Sequence, residues 1–167
     1  AGLALRALGK RHALLFTSAA QRRHSGYTRW LLRRMDAVVA TSSRSAAFLE
    51  VPHRVILHGV DASLFSPAAD RAALRRELGL DPDAFLLGCF GRLRAQKGTD
   101  LSVEALVAVL PDHPDAQAIL MGGVTPDQDA FVAALKARVA AAGLSARIRF
   151  LPEDPAWDIA RWYRALD

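Results

Sequence analysis

The sequence predicts an α/β protein in which β-strands form parallel sheets flanked by helices. Short apolar runs, such as AVVA at positions 37–40, alternate with amphipathic stretches of helical period. Glycines, prolines and polar clusters end these runs at a spacing that is typical of repeated strand–helix units. No apolar run approaches the roughly 20 residues that cross a bilayer, so the patterning favours a globular chain.

The strand–helix units fall into two successive series. We predict that residues 1–66 belong to one Rossmann-like domain, that residues 67–83 form a linker with a short helix, and that residues 84–167 begin a second Rossmann-like domain. The predicted strands lie at 13–17, 37–40, 55–57, 85–90, 117–121 and 148–151. Near the end of the chain, three aromatic residues at helical spacing are predicted to pack in or beside the core: Trp157, Trp162 and Tyr163.

The stretch FLLGCFGRLRAQKGTD, residues 85–100, carries the clearest functional signal. Its apolar strand ends at Gly91, and a basic loop with Arg92 and Lys97 leads into the start of a helix. Unpaired backbone N–H groups and the helix dipole favour an anion at such a helix start. Arginine adds a planar fork that matches phosphate oxygens, and lysine adds a compact charge. We therefore predict a phosphate site at the carboxyl end of this strand, with Arg94 facing solvent.

Two common nucleotide-binding motifs do not fit this loop. The triphosphate loop GxxxxGK[ST] fails because Lys97 precedes Gly98 instead of following it. The dinucleotide motif GxGxxG fails because Gly88 and Gly91 lack a third glycine in register. The histidines do not have the spacing of metal ligands and the chain has one cysteine, so we expect no metal site.

Positive charge is concentrated in the first part of the chain. Residues 1–66 contain ten Lys or Arg and three Asp or Glu, which gives a net charge of +7. Residues 67–167 contain twelve Lys or Arg and fourteen Asp or Glu, which gives a net charge of −2. The basic excess fits contact with an anionic membrane, an anionic glycolipid or nucleic acid, and it equally fits a solvated arginine-rich face. A predicted helix in this part carries one apolar stripe: Tyr27, Trp30, Leu31 and Met35.

Several segments together resemble one enzyme family. In the second half they are FGRLRAQKGTDL, the strand that ends in MGG, and AAGLSARIRF. In the first half they are DAVVATSSRSAAFL and VILHGVDASLF. These segments resemble the retaining GT-B glycosyltransferases of family four. The finer resemblance, through RRHSGYTRWLLRRMDAVVATS, is to lipopolysaccharide core mannosyltransferase-like members, and it extends over essentially the whole chain.

The resemblance implies a GT-B fold with parts of two Rossmann-like domains. Residues 1–66 would be the last part of the N-terminal, acceptor-side domain, and residues 84–167 the first part of the nucleotide-sugar donor domain. The donor diphosphate would be bound by Gly91, Arg92 and Lys97. The nucleoside side of the donor site would include Gly122, Gly123, Leu151 and Glu153. The acceptor side would include Arg22, Arg23 and His24.

The resemblance also implies a hexosyltransferase that acts with retention of anomeric configuration and without a metal ion or cofactor. The transferred sugar, which we take to be mannose, would pass from a nucleotide sugar to a lipopolysaccharide or other glycolipid or glycan acceptor. GDP-mannose is the expected donor, with UDP-sugars and ADP-sugars as the alternative donors. The expected location is cytoplasmic, with peripheral contact at the anionic inner face of the cytoplasmic membrane.

One element of the family pattern is missing from this sequence. The family has paired glutamates in an E-x7-E spacing, and no two of Glu50, Glu77, Glu104 and Glu153 are eight positions apart. We therefore expect an internal piece of a longer enzyme, inactive alone, whose catalytic residues are unknown. The alternative is a non-catalytic nucleotide- or nucleic-acid-binding α/β module. Because no nucleic-acid-binding motif accompanies the basic residues, we expect no nucleic acid partner.

Overall fold

The computed structural model describes residues 2–167, except for the side chains of residues 156 and 157. The chain forms two compact units, Ala1–Val60 and Asp61–Asp167. Each unit contains a three-stranded sheet in which neighbouring strands are parallel. The predicted α/β class with parallel sheets is therefore confirmed.

The first unit is built on a sheet with the strand order β1-β2-β3. Its strands are β1 (Leu15–Ser18), β2 (Ala37–Ala40) and β3 (Arg54–Val55). Its helices are α1 (Gly2–Ala7), α2 (Gly26–Leu32) and α3 (Ser43–Ala46). Buried Leu32, Val38, Ala40 and Leu49 form its core. The strands β1 and β3 differ from the predicted bounds by one or two residues, and β2 matches them.

Serine side chains begin two helices of this unit. The hydroxyl of Ser25 accepts a hydrogen bond from the amide of Thr28 at 3.2 Å at the start of α2. At the start of α3, Ser42 accepts from the amide of Ser45 at 3.0 Å, and the Ser45 hydroxyl accepts from the amide of Ser42 at 3.1 Å. These side chains satisfy backbone donors that a helix start leaves unpaired, so serine hydroxyls cap both α2 and α3.

The second unit has the strand order β4-β5-β6. Its strands are β4 (Phe85–Phe90), β5 (Ala116–Met121) and β6 (Ile148–Leu151). Its α-helices are α4 (Arg71–Glu77), α5 (Thr99–Val109), α6 (Asp129–Ala141) and α7 (Ala156–Ala165). Short 3₁₀ turns occur at Ala95–Lys97, Leu110–Asp112 and Pro126–Gln128.

Helices cover both faces of the second sheet. On one face, Leu120 of β5 packs with Val103 of α5 and Val139 of α6. On the other face, Ile119 packs with Ala165 of α7, together with partly buried side chains of α4. Neighbouring residues of β5 therefore point to opposite cores, which explains why residues 118–121 form a continuous apolar run.

The aromatic residues of α7 differ in their surroundings. Trp162 is half-buried, and its Nε1 donates a 2.6 Å hydrogen bond to Asp154. Tyr163 lies against Phe90 with ring centroids 4.3 Å apart. The packing prediction therefore holds for these two residues, and the side chain of Trp157 lies outside the described part.

The boundary between the units lies earlier than the sequence predicted. We expected the first domain to extend to residue 66 and a linker to occupy residues 67–83. The structure places residues 61–83 in the second unit, with α4 capped by Asp70, which accepts from the amide of Ala73 at 2.8 Å. Two contacts give the physical reason: Phe65 packs edge-on against Tyr163 of α7 with ring centroids 5.6 Å apart, and the buried side chain of Arg75 anchors α4 to the rest of that unit.

The guanidinium of Arg75 forms a buried network. It donates to the carbonyl oxygens of Ala165 and Ala84, both at 2.8 Å, and to the carboxylate of Asp167 at 2.6 Å. Asp167 also accepts from the amide of Leu86 at 2.8 Å. Burial alone would raise the pKa of the Asp167 carboxyl. The Leu86 amide and Arg75 outweigh burial and hold that pKa below its usual value.

Candidate functional site

The candidate site is the loop between β4 and α5, at the carboxyl edge of the second sheet. Gly91 ends β4 with φ of 133°, a backbone conformation that favours glycine. Its amide donates to the Met121 carbonyl at 2.9 Å, and the amide of Leu93 donates to the Gly123 carbonyl at 3.1 Å. These two bonds hold the beginning of the loop against the end of β5.

The two predicted phosphate ligands lie on this loop with their side chains exposed. Arg92 follows Gly91, and Lys97 ends the short turn Ala95–Lys97. Within the part of the chain that the structure describes, neither side chain forms an ion pair. Both positive charges are therefore available to an external anion.

The helix start adds to this positive charge. Gly98 precedes the 11-residue helix α5, and no side chain among the described residues caps that helix start. The first backbone N–H groups of a helix lack partners within the helix, and its dipole places partial positive charge there. The loop and α5 together therefore form an electropositive edge that suits a phosphate group.

Thr99 organises the loop in a way that the sequence prediction missed. Its buried hydroxyl lies 3.2 Å from both the amide nitrogen and the carbonyl oxygen of Arg94, accepting from the first and donating to the second. A threonine directly after the loop glycine was the available signal. The prediction that Arg94 faces solvent is wrong: the residue is half-buried, and its Nε is buried without a hydrogen-bond partner among the described residues.

The charge of Arg94 acts on the neighbouring loop after β5. The pKa of the Asp127 carboxyl is lowered first by the hydroxyl of Thr125, then by the side-chain amide of Gln128, with a further contribution from the positive charge of Arg94. The positive charge of Arg94 thus acts on a group of the protein itself, whereas Arg92 and Lys97 form no ion pair among the described residues.

Gly122 and Gly123 lie beside this loop. A Cβ at Gly122 would overlap the carbonyl oxygen of Gly91 and lie 3.2 Å from the amide nitrogen of Arg92. A Cβ at Gly123 would lie 2.5 Å from a carboxylate oxygen of Glu153. The structure therefore brings five of the predicted donor-side residues together, and Gly122 is needed for the loop to approach β5.

Leu151 completes this edge of the sheet. It is the last residue of β6, and its carbonyl accepts from the amide of Gly122 at 3.2 Å. Lys97 follows on the same loop as Gly91 and Arg92. The predicted diphosphate and nucleoside residues are thus all at the carboxyl edge of one parallel sheet, where open α/β sheets bind ligands.

The predicted acceptor-side residues lie in the first unit. Arg22 and Arg23 are exposed between β1 and α2. His24 is half-buried, with Nε2 3.3 Å from the hydroxyl of Ser18 and its ring edge-on to Phe16 at 6.3 Å between centroids. Its contacts fix the imidazole at the end of β1, and its role toward an acceptor stays a prediction.

Among residues 2–167, no three or more His, Cys, Asp or Glu side chains are grouped so that they could hold a metal ion. The described site offers cationic groups: two side-chain charges without an ion-pair partner and a helix start. Such groups bind and stabilise phosphate oxygens.

Comparison with known proteins shows the family to which the chain belongs. Residues 70–167 match the family model described as "Glycosyl transferases group 1". The chain is 53% identical to the lipopolysaccharide core biosynthesis mannosyltransferase LpsB of Rhizobium meliloti and 58% identical to LpcC of Rhizobium leguminosarum bv. viciae. Each alignment covers 92% of this chain and 43% of the relative. The chain therefore spans less than half the length of these curated relatives.

Several solved structures of glycosyltransferases are also similar to this chain. The C-terminal domain of the group 1 glycosyl transferase LpcC from Francisella tularensis is 35% identical, with a TM-score of 0.59 over 65% of this chain and 56% of that chain. Anabaena HepE, solved in complex with UDP, is 27% identical, with a TM-score of 0.75 over 98% of this chain and 48% of that chain. WaaG, at 13% identity and a TM-score of 0.68 over 99% of this chain and 54% of that chain, shares the fold.

These neighbours are GT-B glycosyltransferases, which confirms the predicted fold type. The match also favours a glycosyltransferase over the alternative of a nucleotide- or nucleic-acid-binding module. The family model covers more than half of the sequence and includes the whole loop from Gly91 to Gly98. The chain belongs to the group 1 glycosyl transferase family.

Proposed function

We propose that the complete protein transfers a hexose, mannose by our inference, from a nucleotide sugar to a lipopolysaccharide core acceptor with retention of configuration. The observation that carries the proposal is the pair of unpaired cations, Arg92 and Lys97, at the start of α5 in the family-matched unit. The names of the relatives support lipopolysaccharide as the acceptor class. Solved neighbours with bound UDP or UDP-glucose support a nucleotide-sugar donor.

The proposed role of the cations follows from the charge change during transfer. As the bond between the sugar carbon and the phosphate oxygen breaks, the electron pair stays on the nucleoside diphosphate, which gains negative charge. The acceptor hydroxyl oxygen forms the new glycosidic bond, and its proton passes to the departing diphosphate. Cations that contact the diphosphate stabilise this transition state more than the bound donor. Arg92 and Lys97 would thereby perform the task that a divalent metal performs in other phosphate chemistry.

Each unit has a proposed role. The second unit would bind the donor, with the diphosphate at Gly91, Arg92 and Lys97. The nucleoside would lie toward the edge formed by Gly122, Gly123, Leu151 and Glu153. The first unit would contact the acceptor, whose phosphate or carboxylate groups suit the exposed Arg22 and Arg23.

Alanine at position 92 or 97 tests the proposal in the protein expressed from its complete reading frame. We expect kcat/KM with the nucleotide sugar to fall by about 100-fold for Arg92→Ala and for Lys97→Ala, because a charge-assisted contact to the leaving group is lost. Arg138→Ala is the matched control, since Arg138 is exposed in the last turn of α6. Unchanged kcat/KM in both loop variants would refute the assignment.

The nucleotide base is tested separately by calorimetry with GDP, UDP and ADP. If the donor is GDP-mannose, GDP should bind most tightly, and Arg92→Ala should weaken all three diphosphates by a similar factor because it contacts a group that they share. Tighter binding of UDP or ADP would replace the proposed donor and leave the diphosphate assignment intact. Tighter binding of an oligonucleotide than of any diphosphate would contradict both.

The proposed place of action is the inner face of the cytoplasmic membrane. Within residues 2–167, none of the helices has the length and apolar character needed to cross a bilayer. We propose peripheral contact with this membrane, and the net charge of +7 on residues 1–66 favours an anionic surface.

A further inference from the structure

The carboxyl edge of the first sheet carries a histidine whose ring is held from several sides. His24 lies between β1 and α2, half-buried, with its ring edge-on to Phe16. Its Nε2 lies 3.3 Å from the hydroxyl of Ser18, the last residue of β1. The next residue along the chain, Ser25, is the N-cap of α2. Backbone and side-chain contacts therefore both restrict the orientation of this imidazole.

Ser18 is itself firmly held. It is 2% exposed, and its carbonyl oxygen accepts from the amide of Thr41 at 3.0 Å and from the Thr41 hydroxyl at 3.4 Å, just after the end of β2. Within the described residues, the only hydrogen-bond partner of the Ser18 hydroxyl is Nε2 of His24. A buried hydroxyl whose hydrogen stayed unbonded would cost free energy. We therefore assign the Ser18 hydroxyl as the donor and Nε2 as the acceptor.

This donation decides which nitrogen of the neutral ring carries the proton. A ring nitrogen that accepts a hydrogen bond has no hydrogen of its own, so the proton of neutral His24 lies on Nδ1. Nδ1 has no hydrogen-bond partner among the described residues, and it is not buried. His24 therefore presents an N–H donor of fixed orientation to solvent.

Two arginines precede this donor in the chain. Arg22 and Arg23 are exposed, and neither forms an ion pair within the described residues. An N–H donor beside two unpaired positive charges suits an anionic oxygen, because hydrogen bonds to ionised acceptors are the stronger ones. The carboxyl edge of a parallel sheet is also where open α/β sheets bind ligands.

We propose that Ser18 is a positioning residue, which holds the proton of His24 on Nδ1 so that this N–H binds a carboxylate or phosphate oxygen of the sugar acceptor. This role rests on the proposed transfer to an acceptor at the first unit and adds the atom that contacts the acceptor. His24 would act as a hydrogen-bond donor and not as a base, since Ser18 engages its basic nitrogen. A histidine that only fills space beside Phe16 would need no particular tautomer.

Nitrogen NMR of the protein from its complete reading frame, isotopically labelled only in histidine, tests the tautomer. At about pH 8, above the ordinary titration range of imidazole, we expect the Nδ1–H pattern for the signals that disappear in His24→Asn. His53 is an internal reference, because its Nδ1 lies 2.8 Å from the carbonyl oxygen of Val51, which accepts only from a protonated nitrogen. In Ser18→Ala, His24 should shift toward Nε2–H, the form that free histidine prefers. An Nε2–H pattern in the unsubstituted protein, or no change in Ser18→Ala, would overturn the proposal.

Titration with small sugars tests what this N–H group binds. We expect the His24 signals to shift with glucuronate or glucose 6-phosphate, and neutral glucose to bind about tenfold more weakly, the effect of losing a hydrogen bond to a charged group. Tighter binding of glucuronate would identify a carboxylate, and tighter binding of glucose 6-phosphate a phosphate. His53 should not shift, because Val51 already accepts from its N–H. Equal shifts of both histidines, or equal affinity for glucose, would refute the assigned role.

Variants of His24 separate the hydrogen bond from space filling. His24→Asn keeps an N–H near the position of Nδ1, whereas His24→Gln places its amide near the position of Nε2. We expect His24→Asn to bind the preferred sugar anion within about twofold of the unsubstituted protein, and His24→Gln to bind it about tenfold more weakly. Ser18→Ala should bind about threefold more weakly, because only part of the population then carries the proton on Nδ1. His53→Asn is the control and should bind normally. Equal losses in the two His24 variants would show that His24 only packs.

These measurements are independent of the diphosphate site. None of them requires sugar transfer, so unchanged kcat/KM in Arg92→Ala and Lys97→Ala would not affect their outcome. If those two variants lose activity while binding of sugar anions does not depend on His24, the role of His24 is refuted and the diphosphate assignment stands. If Ser18→Ala does not fold, the tautomer of the unsubstituted protein and the two His24 variants decide the question.

Discussion

Gly122→Ala is expected to destabilise the second unit by about 1–3 kcal/mol, the usual range for a side chain forced into filled space. The added methyl group would overlap the carbonyl oxygen of Gly91 and approach the amide of Arg92. Both obstacles are backbone atoms held by hydrogen bonds, so they cannot rotate aside. The loop would have to move away from β5, and Arg92 would move with it. We therefore also expect weaker binding of nucleoside diphosphates.

The adjacent Gly123→Ala is the matched control for this prediction. Its methyl group would meet the carboxylate of Glu153, at the far end of a flexible side chain. Rotation of that side chain relieves the contact, so we expect a loss below about 1 kcal/mol. Urea denaturation measures both variants, and calorimetry with UDP or GDP measures binding. Similar losses of stability in the two variants would contradict the claim that backbone contact at Gly122 positions the loop.

Arg75→Met is expected to cost about 3 kcal/mol in the free energy of unfolding of the second unit. The substitution keeps an apolar side chain of similar length but removes the ion pair with Asp167 and the donors to buried carbonyl oxygens, including that of Ala165. Removing one partner of a buried ion pair leaves the other without compensation. Arg76→Met is the control, since Arg76 is exposed on the same helix. An equal loss in the free energy of unfolding for Arg76→Met would contradict the claim that the buried network of Arg75 stabilises this unit.

The same network predicts how stability responds to acid. The pKa of Asp167 is lowered in the folded protein, so its stabilisation is fully present above the unfolded value near 3.8 and is lost as pH falls through the lower folded value. Asp167→Asn should therefore lose stability at pH 7 and show a shallower decline below about pH 4 than the unsubstituted protein. Parallel pH profiles of the two proteins would contradict the assigned pKa direction.

Local patterns were sufficient to predict much of this fold and the main features of its candidate site. The apolar run that ends at Gly91 correctly predicts β4, and the residues KGT correctly predict the start of α5. Such predictions succeed because strand and helix boundaries depend on nearby residues. The cationic loop between them contains Arg92 and Lys97, as predicted. Their binding of a diphosphate stays a prediction.

Contacts between distant residues explain what was missed. Arg75 resembles a solvent-facing residue of an amphipathic helix, and its partner Asp167 lies 92 positions away. Gly122 meets Gly91 through the pairing of β5 with β4, which no local pattern shows. Arg94 resembles Arg92 in sequence context, yet its Nε is buried. In each case the tertiary arrangement decides the role of the side chain.

The hydroxyl of Thr99 has a consequence for the thermodynamics of ligand binding. By bonding both backbone groups of Arg94, it restricts the conformational freedom of the loop before any ligand arrives. An anion that binds there then loses little affinity to ordering of the polypeptide, and the entropic cost falls mainly on the side chains of Arg92 and Lys97. Preorganisation of the main chain by a single hydroxyl leaves more of the electrostatic attraction for affinity.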